Sequence, residues 1–126
     1  MQIRQGIDIT SVKRLQAAME RHGKRFENRV FSKVERDYCA KKKMKYEHFA
    51  ARFAAKEAFI KALEVKRTKG YELCDIEVRR QASGKPYIHL SPQSRKRFQL
   101  SSKSQIEISL AHERDFAIAT VVILRP

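Results

Sequence analysis

Four charges interrupt the otherwise apolar run ARFAAKEAFIKAL at residues 51–63: Arg52, Lys56, Glu57 and Lys61. On a helix turning about 100° per residue, Phe49, Phe53, Ile60 and Leu63 form a bulky apolar arc. Ala51, Ala55, Ala58 and Ala62 form a smooth arc roughly opposite, suited to close approach by another backbone. Glu57 and Lys61 fall on one seam between these arcs, one turn apart and beside Ala50 and Ala54. Arg52 and Lys56 occupy the other side, near Phe59, so no ordinary solvated face remains. The plain reading of the seam is an i,i+4 ion pair worth a few tenths of a kcal/mol. Charges flanked by apolar surface are costly unless compensated, which favours a carboxylate that holds a metal ion beside an ammonium that holds phosphate. Mg²⁺ usually takes one or two carboxylates with waters and substrate phosphates, so a second acid is required. Asp8, inside the apolar GIDIT, is the leading candidate; its alternative is a capping or turn role ahead of Ser11.

The elements that must position these groups follow from periodicity. Residues 2–10 read as a strand through Ile3, Ile7 and Ile9. From about Ser11 the pattern turns helical, with Val12, Leu15, Met19 and His22 on one side and Gly23 as the stop. Arg14, Arg21 and Arg25 lie on the opposite side, with Ala17 and Ala18 between them. Ser32 and Glu35 match a capping box, which starts a second helix near Lys33 that runs through DYCAKKKMK. The opening stretch forms a third, from about Tyr46 to Glu64, and VKRTKG at 65–70 is a basic loop. The period then changes to two. DIEVRR at 75–80 and YIHL form a hairpin around ASGKP, SPQSRKRFQL is a short helix with Pro92 in its first turn, and IEISL and FAIATVVIL are strands joined by AHERD. A strand, three helices and then several strands make an α+β fold in one domain, residues 1–126.

Composition bounds the partners. The 126 residues hold 28 Lys and Arg against 14 Asp and Glu, a net charge of +14 that attracts polyanions. Apolar residues at 42% are enough for a packed core. Two cysteines without framework spacing fit a reducing cytoplasm. The N-terminus has no apolar leader and no run approaches a membrane span, so a soluble, unprocessed chain is expected, with no membrane partner.

GIDITSVKR, ARFAAKEAFIKAL, DIEV followed by SGKPYIHL, and ISLAHERDFAIATVVI, in that order, resemble the bacterial holo-acyl-carrier-protein synthases, which are 4′-phosphopantetheinyl transferases. RFAAKEAF carries most of the specificity; DIEV or SLAHE alone would carry little. The resemblance implies Mg²⁺-dependent transfer of phosphopantetheine from coenzyme A to a serine of apo acyl carrier protein, supporting fatty acid biosynthesis. Adenosine 3′,5′-bisphosphate would be released. It implies a homotrimer whose active sites are shared across subunit interfaces. Asp8 and Glu57 match the family's metal-binding carboxylates and Lys61 its active-site lysine. Arg52, Lys56, Lys61, the turn Gly84-Lys85-Pro86, Ser109 and His112 lie where the family contacts coenzyme A. On the first helix, Arg14, Arg21, Lys24 and Arg25 lie where it meets the acidic carrier. The chain departs from the pattern with Glu64 and VKRTKG after KAL, and with Ala111 before His112. The attacking serine needs a general base, for which Glu57 and a metal-bound water both remain open.

Two other readings compete. A nucleic-acid-binding module would explain the charge and the KKKMK run, but the strands carry no interleaved aromatic platform and no zinc or helix-turn-helix signature occurs. A scaffold that binds the carrier without chemistry would leave Asp8, Glu57 and Lys61 without a purpose. His22, His48 and His89 read as structural.

Overall fold

The computed structural model describes residues 1–65 and 70–126. Alternating isoleucines give strand β1, Gln2–Ser11. Ser11 then caps helix α1, Val12–Val30, its hydroxyl accepting from the Arg14 N–H at 3.3 Å. The capping alternative for Asp8 is thereby removed. Gly23 is a break rather than an end: it adopts φ 64° and ψ −152°, and the helix resumes to Val30. A positive φ costs little without a Cβ. The helix continues because Phe26 and Val30 still find apolar partners in the core beneath.

The expected capping box opens α2, Lys33–Ala40, with the Ser32 N–H donating to Glu35 Oε1 at 2.8 Å. This helix is shorter than its periodicity suggests. Lys41, Lys42 and Lys43 are all exposed and supply no apolar face to continue it, and the chain turns at Met44 into α3, Lys45–Leu63. A 3-10 turn at Leu73–Asp75 precedes the hairpin of β2, Glu77–Arg80, and β3, Pro86–His89. Ser91 caps α4, Pro92–Arg97. Strands β4, Gln105–Glu113, and β5, Phe116–Arg125, complete the α+β fold. AHERD is mostly strand: only Arg114 and Asp115 lie between β4 and β5, so His112 sits on a strand instead of in a turn. Residues 66–69 of the expected basic loop lie outside the described residues.

Strands β1, β5 and β4 form one antiparallel sheet in that order; β2 and β3 form a second. The larger sheet lays Ala117, Ala119, Val121 and Ile123, all fully buried, against α3. The alanine arc of α3 meets β1 at Gly6, where a Cβ would stand 2.1 Å from the Ala58 carbonyl oxygen and 2.8 Å from the Ala62 nitrogen. Only glycine permits that approach, and it fixes how closely the seam of α3 sits beside Asp8. On the outer face of the same sheet Ile3, Ile7 and Ile9 of β1 and Phe116, Ile118 and Val122 of β5 are exposed. Among the described residues no helix is long and apolar enough to cross a membrane.

Candidate active site

Asp8 lies on the inner face of β1, two residues from Gly6, with its side chain 15% exposed. Thr10 donates its hydroxyl to Asp8 Oδ2 at 2.9 Å. Lys61 reaches from α3 to Asp8 Oδ1 at 3.0 Å and to the Ile7 carbonyl at 3.1 Å. Glu57, one turn before Lys61 on the same seam, is buried. Strand and helix thus bring the Asp8 carboxylate to the Lys61 ammonium, whose side chain is 57% exposed. Among the described residues no group of three or more His, Cys, Asp or Glu side chains is disposed to hold a metal. Two hard oxygen donors nevertheless suit Mg²⁺, which keeps waters and completes its shell with substrate phosphates. Burial pushes the Cys39 thiol up to about 12 and raises Cys74 as well.

A second cluster forms where α2, α3, β2 and β4 converge. Arg52, 2% exposed, donates through Nη1 to the His48 carbonyl at 3.3 Å and stacks 4.2 Å from the centroid of Tyr38. Its buried Nε has no hydrogen-bond partner among the described residues. Lys42 and Arg80 also face the Tyr38 ring, at 4.7 and 5.6 Å. His112 of β4 joins them, its Nδ1 2.9 Å from Glu47 Oε1. A carboxylate only accepts, so Nδ1 carries the proton in this contact. Asp8 pairs with Ala119 and His112 with Ala117 across β5. Two strand spacings and two residues along the sheet separate their backbones by roughly 12 Å.

The expected coenzyme A contacts do not all converge in one chain. Lys56 lies in the core with no exposed side-chain surface. Its ammonium donates to Glu35 Oε1 at 2.8 Å, to the Leu73 carbonyl at 3.0 Å and to the Ile76 carbonyl at 2.5 Å, which uses all three protons. Burial lowers its pKa, and the fully buried Glu35 opposes that shift. Its place is structural. Ser109 pairs with Thr120 on the outer face of the sheet, away from Asp8 and His112. Gly84 and Lys85 lie in the β2–β3 turn and Pro86 opens β3, and Lys85 reaches Glu107 on that same outer face at 2.9 Å. One set therefore faces α3 and the other faces outward.

On α1, Arg14, Arg21, Lys24 and Arg25 are all exposed. On either side of the Gly23 break, Arg21, Arg25 and Arg29 edge a cleft of about 930 Å³ whose apolar wall includes Phe26, Phe53 and Leu73.

The family model of the 4′-phosphopantetheinyl transferase superfamily matches residues 4–121. The holo-[acyl-carrier-protein] synthase of Protochlamydia amoebophila is 42% identical over 117 residues, 93% of either chain. The chain belongs to the holo-acyl-carrier-protein synthase family. A second such synthase, from Halothermothrix orenii, is 43% identical over 93% of both chains. Among solved structures, the ACPS–CoA complex of Chronobacterium ammoniagenes superposes with a TM-score of 0.88 at 27% identity, covering 100% of this chain and 99% of that one. The Helicobacter pylori synthase in complex with coenzyme A does so with 0.82 at 32% identity, covering 95% and 99%.

Several residues of the second cluster were not singled out as site residues in the sequence. Tyr38 of α2, Lys42 just past it, Glu47 and His48 of α3 and Arg80 of β2 become neighbours only in the fold. Phe53 belongs to the bulky arc by period, yet it is half-buried and turns to the cleft beside Phe26. A signal existed for Glu47 alone: a buried acid in the first turn of an apolar helix needs a partner.

Proposed function

We propose that this protein transfers 4′-phosphopantetheine from coenzyme A to a serine of apo acyl carrier protein, releasing adenosine 3′,5′-bisphosphate, in support of fatty acid synthesis. The observation that supports the reading is the 3.0 Å contact of Lys61 with Asp8, on a chain of this family whose buried Glu57 lies one helical turn before Lys61. Asp8 and Glu57 would hold Mg²⁺, which when bound neutralises and polarises the pyrophosphate of coenzyme A. The serine oxygen forms a bond to the phosphorus that bears pantetheine, and the bond from that phosphorus to the bridging oxygen breaks. Lys61 neutralises the charge that grows on the departing bisphosphate. The serine proton passes to a base, a role left open between Glu57 and water. Catalysis is then largely positioning and electrostatics. Arg52 and His112 suit the phosphate on the ribose, which the pyrophosphate site leaves unserved.

The reaction is tested by separating the nucleotides after incubation with coenzyme A, Mg²⁺ and carrier. One adenosine 3′,5′-bisphosphate should appear per carrier modified. Release of the bisphosphate at the same rate without carrier would mean simple hydrolysis and defeat the reading.

A homotrimer with shared sites belongs to this proposal. Two observations support it: the exposed isoleucines of β1, 60% for Ile7 and 61% for Ile9, and the division of expected coenzyme A contacts between two faces of one sheet. A ligand can meet both sets if a second subunit brings its outer set to the first subunit's seam. Light scattering should give three times the chain mass. Ile9→Glu, which puts charge on that apolar face, should give monomer with activity lowered at least ten-fold; a fully active monomer would refute shared sites.

The carrier is placed on α1, where arginines border an apolar cleft that fits an acidic helix with a projecting apolar side chain. Arg14→Glu with Arg21→Glu should raise KM for the carrier about ten-fold or more and flatten its salt dependence, leaving KM for coenzyme A unchanged. Equal changes in both constants would place the arginines elsewhere in the reaction.

A further inference from the structure

His48 reads as structural from sequence, yet it stands at the centre of the cationic cluster. Its ring meets Tyr38 of α2 edge-on at 5.9 Å and His112 of β4 edge-on at 5.0 Å. Arg52 lies one turn along its own helix, Lys42 just past α2 and Arg80 at the end of β2, all gathered over the Tyr38 ring. Among the described residues none of these three cations has a carboxylate partner. Glu47, on the same helix as His48, is engaged by His112. The π-face of Tyr38 relieves part of the repulsion. What it leaves is a concentration of positive charge that an incoming polyanion would neutralise.

We propose that His48 takes up a proton when a phosphate-bearing ligand binds at this cluster, so that binding there is proton-linked. The free protein holds the ring neutral: burial lowers its pKa first, and His112, Arg52, Lys42 and Arg80 lower it further. A phosphate among the same cations offsets their field at the ring and raises the pKa. In the pH window between the free and the bound values each binding event draws a proton from solvent. Affinity therefore rises as pH falls through that window, by at most ten-fold per unit for one proton. This rests on coenzyme A as the ligand only for the identity of the phosphate; the coupling itself requires only an anion at the cluster.

Adenosine 3′,5′-bisphosphate is the probe. Calorimetry near pH 6.5 in two buffers of different protonation enthalpy counts the protons taken up by the wild type and by His48→Phe. Phenylalanine keeps the edge-on ring contacts but cannot titrate. The wild type should take up at least about 0.3 proton more than the variant, with affinities that converge within three-fold at pH 8.5. The phosphate's own titration, with a pKa near 6, is common to both proteins and cancels in the difference. Equal uptake in the two overturns the proposal. If the bisphosphate does not bind, the coenzyme A reading fails, and NMR titration of His48 with inorganic phosphate decides the coupling alone. A raised His48 pKa sustains it, and an unmoved one ends it.

Discussion

Asp8→Asn and Glu57→Gln should each lower the rate of carrier modification roughly a thousand-fold, about 4 kcal/mol of barrier, without unfolding the protein. Both changes conserve shape. An asparagine in place of Asp8 can still accept from Thr10, whose hydroxyl lies 2.9 Å from the aspartate. What disappears is negative charge at the point where a hard cation must be held against the phosphates. The loss should therefore fall on Mg²⁺ dependence, with half-maximal activity moving to higher Mg²⁺ for either variant. Lys61→Ala should cost less and leave the Mg²⁺ requirement unchanged, because its ammonium acts on the leaving group and its contact with Asp8 is exposed. Circular dichroism and melting curves check the fold. A variant that is native in shape and within ten-fold of wild-type activity at limiting Mg²⁺ would remove Asp8 or Glu57 from the site.

The largest effect on stability should come from Glu35, far from the reaction. Its carboxylate accepts from the Ser32 N–H, from Lys56 and from the Val78 N–H, and so ties α2, α3 and β2 together. Glu35→Ala strands a fully buried ammonium and two backbone donors. Breaking a buried pair by removing one partner costs about 3–5 kcal/mol, a large share of the roughly 5–15 kcal/mol that stabilises a typical domain. The melting temperature should fall by roughly 10–20 °C. Lys56→Met alone removes the cation and should cost less. The double variant Glu35→Ala/Lys56→Met should be less destabilised than the sum of the singles by more than about 1 kcal/mol. Additive losses would mean that the pair is not coupled. A melting temperature unchanged in Glu35→Ala would contradict the burial of the pair.

Much of this was legible before the fold was known, for a local reason. Helical and strand periods report which face of an element is buried, so the seam on α3 and the alanine arc that meets Gly6 could both be read from spacing. Ser32 and Glu35 announced a helix start because a capping box closes within four residues. Lys56 shows where such reading stops. Its partner Glu35 is 21 positions away, and nothing local distinguishes a core ammonium from a ligand-facing one. The Glu47–His112 contact spans 65 positions and depended on His112 lying on a strand, which AHERD disguised as a turn. Gly23 was visible as a helix breaker, but whether the helix resumes depended on Phe26 and Val30 finding a core supplied by other elements. Family resemblance named Asp8, Glu57 and Lys61 together; the fold supplies the 3.0 Å contact that joins two of them.

The most direct measurement is the mass of an apo acyl carrier protein after incubation with this protein, coenzyme A and Mg²⁺. The expected result is a single phosphopantetheine-sized gain, lost when the carrier's serine is changed to alanine and lost again with EDTA. An unmodified carrier, with the enzyme folded, trimeric and supplied with several carriers, would contradict the assignment of Asp8, Glu57 and Lys61 to this transfer.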